Sequence, residues 1–135
     1  MIWVTRKQPH IDRIACAWTI KRFIDFEAEF QFIERNNPIP ELAIPYDLPD
    51  VEIGHKDNSC SHETLLKLYK INDEAVIEIS RIVHDIDLGK FDNEYSAGIE
   101  LILKGLIFSS KEDRKIYEKG FEFFDYLYKA FREAI

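Results

Sequence analysis

The chain has 135 residues, 46% of them hydrophobic and 32% charged, with only five glycines and five prolines. That composition excludes disordered, collagenous and low-complexity classes and leaves room for one domain with its own core. Eighteen Lys and Arg against 25 Asp and Glu give a net charge of -7, which repels a phosphate backbone and an anionic bilayer, so neither nucleic acid nor a membrane is an expected partner.

Residues 2–5, Ile-Trp-Val-Thr, are β-prone, and residues 29–34 alternate Phe30 and Phe32 with Glu29 and Gln31 in the period of a half-buried strand. Between them the spacing predicts a helix over 11–25 with Asp12 as its N-cap. Ile11, Ile14, Ala15, Trp18, Arg22 and Asp25 fall on one side of it, and Cys16, Ile20, Phe23 and Ile24 on the other. A helix apolar nearly all round is a buried one, so two short parallel strands joined by a central helix are expected. All five prolines precede residue 51, and the stretch 36–50 reads as an ordered loop pinned by Ile39, Leu42, Ile44 and Tyr46. Helices are predicted over 61–69, 73–88 (ended near Gly89), 93–108 and 111–134. The last carries Tyr117, Phe121, Phe123, Phe124, Leu127, Tyr128 and Phe131, a stripe that core packing explains, though it offers a surface for a homo-oligomer. The expected fold is therefore mainly α with a small parallel β element: a β-α-β opening followed by about four helices, in one compact domain over 1–135. No apolar stretch reaches secretory or membrane-spanning character, and Cys16 and Cys60 make no disulfide framework. A cytoplasmic protein with reduced thiols is expected.

The charge is unevenly placed: residues 1–25 hold five cations and two carboxylates, a net of +3, and the remainder carries -10. Arg22 on the Trp18 face needs a carboxylate or a bound anion. Arg6, following the first strand beside a helix N-terminus, suits an oxyanion cradle. Residues 54–63 place His55, Cys60, His62 and Glu63 within nine positions, the ligand types a transition metal takes. Ordinary capping, with Ser61 as N-cap and Glu63 in the first turn, accounts for the same residues. In residues 82–87, His84 and Asp87 border the core face and Asp85 points away. A carboxylate three residues after a histidine fixes its tautomer or shares a metal, and Asp87 serves equally as partner to an N-terminal arginine. With Asp47 and Glu63 also expected to face inward, these groups converge in one polar pocket.

The runs Trp3-Val4-Thr5-Arg6, Pro9-His10-Ile11-Asp12-Arg13-Ile14-Ala15-Cys16-Ala17-Trp18 and Arg22-Phe23-Ile24-Asp25 resemble the opening of the ChrB-type chromate-resistance domain. Pro45-Tyr46-Asp47, His55 followed by Cys60, the block 82–87 and Asp125-Tyr126-Leu127-Tyr128 extend the likeness over nearly the whole chain. One departure is His62, where the family often has an aromatic residue, so His62 is not expected to be a general ligand. The resemblance implies a role in chromate tolerance. It marks Arg6, Asp12, Arg13, Trp18, Arg22, Glu63 and Asp87 as a ligand-binding pocket and His55, Cys60, His84 and Asp87 as ligands of a divalent transition metal. The expected partner is thus a small anion, chromate having the charge and geometry of sulfate, or a metal ion. A redox variant, in which Cys60 or a bound metal reduces chromate or handles superoxide under redox or metal stress, stays open, and so do two other readings. One is an HD-like metal-dependent hydrolase using His84-Asp85, His55 and Asp113 or Asp125; the other is a non-catalytic interaction module whose pocket is a buried ion-pair network.

Overall fold

The computed structural model describes residues 1–134. Strand β1 (Ile2–Arg6) is the centre of a three-stranded parallel sheet, flanked by β2 (Glu29–Ile33), in register Trp3 to Phe30, and by the two-residue β3 (Ile44–Pro45). Two strands were expected and there are three. The third comes from the proline-rich loop, where Pro45, lacking an N–H, is tolerated because β3 lies on the sheet edge. In that loop Ile44 is half-buried and Tyr46 buried, whereas Ile39 and Leu42 are exposed and pin nothing.

Helix α1 (Ile11–Thr19) runs through the middle of the molecule, and every residue of it except Arg13 is buried. It continues as a π turn (Ile20–Ile24), closed by Asp25 N donating to Ile20 O at 2.7 Å. Four helices follow: α2 (Ser61–Leu68), α3 (Glu74–Asp87), α4 (Ser96–Phe108) and α5 (Asp113–Ala134). Asp73 caps α3 by accepting from Ala75 N and Val76 N, and Gly89, at φ 68°, supplies the left-handed residue that ends it. The aromatic stripe of α5 is core: Phe121 meets Phe30, Tyr117 meets Phe32, and Phe124 and Tyr128 both meet Trp18. Apolar side chains left exposed are prominent on α4, at Leu101, Ile102 and Phe108.

Helices α1 and α5 approach closely at Gly120, where an added Cβ would stand 2.6 Å from Ile14 Cγ2. Alanine gains about 1 kcal/mol of helix propensity over glycine. Ile14 is fully buried and has nowhere to move, so overpacking of about 1–3 kcal/mol dominates. Gly120→Ala is therefore expected to lower stability by up to about 2 kcal/mol in a denaturant titration.

Candidate functional site

The site begins with a cap made across the fold. Asp12 is not the N-cap of α1; that position is His10, and Asp12 sits one residue inside the helix, fully buried. Its carboxylate reaches α2 instead, accepting from Ser61 N and His62 N, each at 2.9 Å. The N-cap of α2 is Cys60 rather than Ser61, and Glu63 Oε1 accepts from Cys60 N at 3.0 Å. Freed from capping, the Ser61 hydroxyl donates to Asp47 Oδ1 at 2.6 Å.

Three carboxylates then gather round His55. Its Nε2 lies 2.6 Å from Asp87 Oδ2 and 3.6 Å from Asp12 Oδ2, and its Nδ1 lies 3.7 Å from Asp47 Oδ1. On its other side Asp47 pairs with the Arg13 guanidinium, Nε at 2.9 Å, and meets His10 Nε2 at 3.1 Å. Arg13 also donates to the carbonyls of Lys7, Gln8 and Asp47, tying the loop before α1 to the loop after β3. Gln8 and Asp47 both have positive φ, 74° and 49°, strained values for residues with a Cβ, tolerated where the surroundings hold them.

The environment pulls these pKa values apart. Burial, with Asp47 and Asp87 nearby, pushes the Asp12 pKa up to about 7 against the two α2 N–H groups. Burial works to raise Asp47 as well, but His10, Ser61 and Arg13 outweigh it and bring its pKa down to about 2. Burial opposes charge on His55, yet Asp87, Asp12 and Asp47 raise its pKa above the usual imidazole value. A cation is thus favoured between Asp12 and Asp87, and a proton on His55 Nε2 serves when no metal ion is there. The donor atoms of Asp12, His55 and Asp87 lie within 4.8 Å of one another, and two carboxylate oxygens with one imidazole suit a hard to borderline divalent ion.

A second group lies on the α2–α3 side. His84 Nδ1 is 2.5 Å from Glu63 Oε1, and the Cys60 thiol completes a set whose donor atoms are within 4.8 Å of one another. Burial raises the Cys60 thiol pKa and Asp12 raises it further. His84 and Asp87 therefore part company: each is taken by a residue from another segment, Glu63 and His55 respectively. His62 serves the core, fully buried between Thr19 Oγ1 at 2.8 Å and Ser80 Oγ at 2.9 Å. Burial holds its pKa down at about 4, so it is neutral.

The family model for the ChrB C-terminal domain matches residues 3–131. The chain belongs to that family. A curated relative, Protein ChrB of Cupriavidus metallidurans, is 32% identical over 104 residues, which cover 76% of this chain. The aligned stretch is 32% of that relative's length, so the chain spans about a third of the protein it matches. No solved structure matches it significantly.

Not every residue marked by resemblance to the ChrB domain joins the cluster. Trp18 and Arg22 lie on the α1–α5 seam, where Trp18 Nε1 donates to Asp125 Oδ1 at 2.8 Å and Arg22 forms a two-armed pair with the same carboxylate at 2.9 and 2.8 Å. Both ends of that ion pair are over a third exposed, which limits it to about 1 kcal/mol. Arg6 lines a separate cleft of about 190 Å³ with Lys7, Arg13, Glu34 and Arg35. The HD-like arrangement lacks its aspartates: Asp113, the first residue of α5, like Asp85 and Asp125, belongs to neither group of metal-ligand atoms found among the described residues. Asp85, expected to point away from the core, is buried, and it accepts from Asp92 N, Asn93 N and Ser96 Oγ to hold the turn into α4; Asp125 belongs to Arg22 and Trp18. Sequence reasoning missed His10, and it read Asp47 as facing into the polar pocket without giving it a role there as a ligand. The Pro45-Tyr46-Asp47 block and the His10-Ile11-Asp12-Arg13 run were the available signal.

Proposed function

We propose that this domain serves chromate tolerance by holding one divalent cation between Asp12, His55 and Asp87. Membership in the ChrB family suggests chromate resistance, and among the described residues no helix is long and apolar enough to cross a membrane. The observation that carries the metal reading is the buried Asp12 carboxylate facing a second carboxylate through one imidazole nitrogen. Like charges placed so closely are costly unless a cation lies between them. The same electrostatics argue against a chromate dianion here, because Arg13, the nearest permanent cation, is already engaged by Asp47 and three carbonyls.

Calorimetric titration with Mn²⁺ tests this, since manganese favours oxygen and imidazole donors over thiolates. The wild type is expected to bind one ion, and Asp87→Asn to bind at least about 100-fold more weakly, the upper range for losing even a second-shell partner. Absence of Mn²⁺ binding by the folded wild type would sink the reading. The cleft of Arg6, Lys7 and Arg35 supports a second reading, an oxyanion site with two arginines that have no carboxylate partner among the described residues. Chromate binding abolished by Arg6→Ala, with the Mn²⁺ isotherm intact, would establish it instead as the chromate-recognising element.

A further inference from the structure

The Cys60, Glu63 and His84 group is a site of different chemistry, and helix capping does not account for its composition. An N-cap needs a side-chain oxygen, which Ser, Thr, Asp or Asn supplies; a thiol is a poor acceptor. Yet α2 begins on Cys60, whose sulfur accepts from Glu63 N while Glu63 Oε1 accepts from Cys60 N, a capping box with a thiol in the place of a hydroxyl. The capping box explains the contacts between Cys60 and Glu63 and leaves two facts aside: the imidazole of His84 against the same carboxylate, 2.5 Å away from another helix, and the choice of a buried thiol, within 4.8 Å of both, where a hydroxyl caps better. A buried structural cysteine is ordinarily surrounded by apolar side chains. This one is set beside a carboxylate and an imidazole.

We infer that Cys60 Sγ, a Glu63 carboxylate oxygen and a His84 ring nitrogen form a second metal site, for a borderline divalent ion of the zinc or cobalt class. Sulfur, nitrogen and oxygen donors in one set are what such ions accept and what manganese or magnesium does not favour. Three protein donors leave a coordination position for water or an exogenous ligand. Binding would release the Cys60 proton to solvent, which reaches the group through the partly exposed Glu63 and His84 side chains. The two triads flank the first turn of α2: Asp12 receives the N–H groups of Ser61 and His62, and Glu63 that of Cys60. One helix start thus positions ligands for both. The inference stands apart from the Asp12–His55–Asp87 reading, and the two fail separately.

Titration of the metal-free protein with Co²⁺, followed by metal analysis and absorption, tests it. The wild type is expected to take up two cobalt ions and to show a near-ultraviolet thiolate-to-cobalt charge-transfer band. Cys60→Ser should bind one ion without the band, Cys16→Ser should keep the band, and Asp87→Asn should bind one ion with it. Should Cys60→Ser not fold, His84→Gln gives the second readout, a loss of cobalt affinity at the band-forming site of at least about tenfold. A folded wild type that shows no thiolate band, or a band that survives Cys60→Ser, overturns the inference.

Discussion

Asp12→Ala will destabilise the metal-free protein by about 2–5 kcal/mol in urea at mildly acidic pH, because it strands two buried N–H groups at about 1–3 kcal/mol each. Those donors, Ser61 N and His62 N, have no other acceptor in hydrogen-bond range and sit at a helix start. The carboxylate is also a liability in its ionised form, since Asp47 and Asp87 face it. Removing it relieves that repulsion, but only where the group is charged. The destabilisation should therefore be greater near pH 5, where Asp12 is protonated in the fold, than near pH 8. Asp12→Asn retains one acceptor and should cost less than alanine. Equal stability of wild type and Asp12→Ala at pH 5 would show that the cap across the fold contributes nothing. His55→Ala provides the contrast: half-exposed, it strands no backbone N–H and removes only its pairing with the carboxylates, so it should cost less than Asp12→Ala at pH 5, where Asp12 is protonated and the carboxylates repel least.

The elements with strong periodicity were legible. α1 is apolar all round and is the buried centre, and the stripe on α5 is core because each ring found another ring. β3 was not legible because two residues, one a proline, carry no period-two signal. The site was legible as a set of residue types and illegible as a set of pairs. A helical wheel places His84 and Asp87 on neighbouring headings, but partners are set by what arrives from elsewhere: Glu63 from α2 to one, His55 from the preceding loop to the other. Capping fails in the same way. Sequence rules assume that a residue caps its own helix, and here Asp12 caps α2, 49 positions away in sequence. The arginines divide on accessibility of partners: Arg13 meets Asp47 beside the cluster and Arg22 meets Asp125 across the α5 seam. A cationic N-terminal stretch therefore became two unrelated pairings and one free cleft.

Raising the pH from about 6 to about 8 will lower the melting temperature of the metal-free protein, and saturating Mn²⁺ will reverse that trend. In the fold Asp12 titrates at about 7, whereas in the unfolded chain it loses its proton near pH 4. Between those values the native state holds a proton that the unfolded state has lost, so stability falls as pH rises and levels off above about 7. His55 acts with the same sign. Its pKa is raised in the fold, so the stability it contributes is full below about 6.5 and is lost as pH rises through the folded value. Asp47 does not offset either, because its pKa is lowered to about 2 and its contribution changes only in acid; His62, held neutral down to about 4, opposes them only below about 6.5, where the unfolded imidazole takes up a proton, so the fall is shallow near pH 6 and clearest between about 6.5 and 8. A metal ion between Asp12, His55 and Asp87 displaces the Asp12 and His55 protons, so its affinity rises by about tenfold per pH unit for each proton still to be removed. At a free concentration of about 100 times Kd it adds about 2.7 kcal/mol, and that concentration is reached most easily at the alkaline end, where the metal-free protein is weakest. Melting curves at several pH values with and without Mn²⁺ measure both slopes. A metal-free melting temperature that is flat between about pH 6.5 and 8, above the range in which His62 contributes, would mean that Asp12 ionises normally in the fold, and the electrostatic case for a cation there would fall with it.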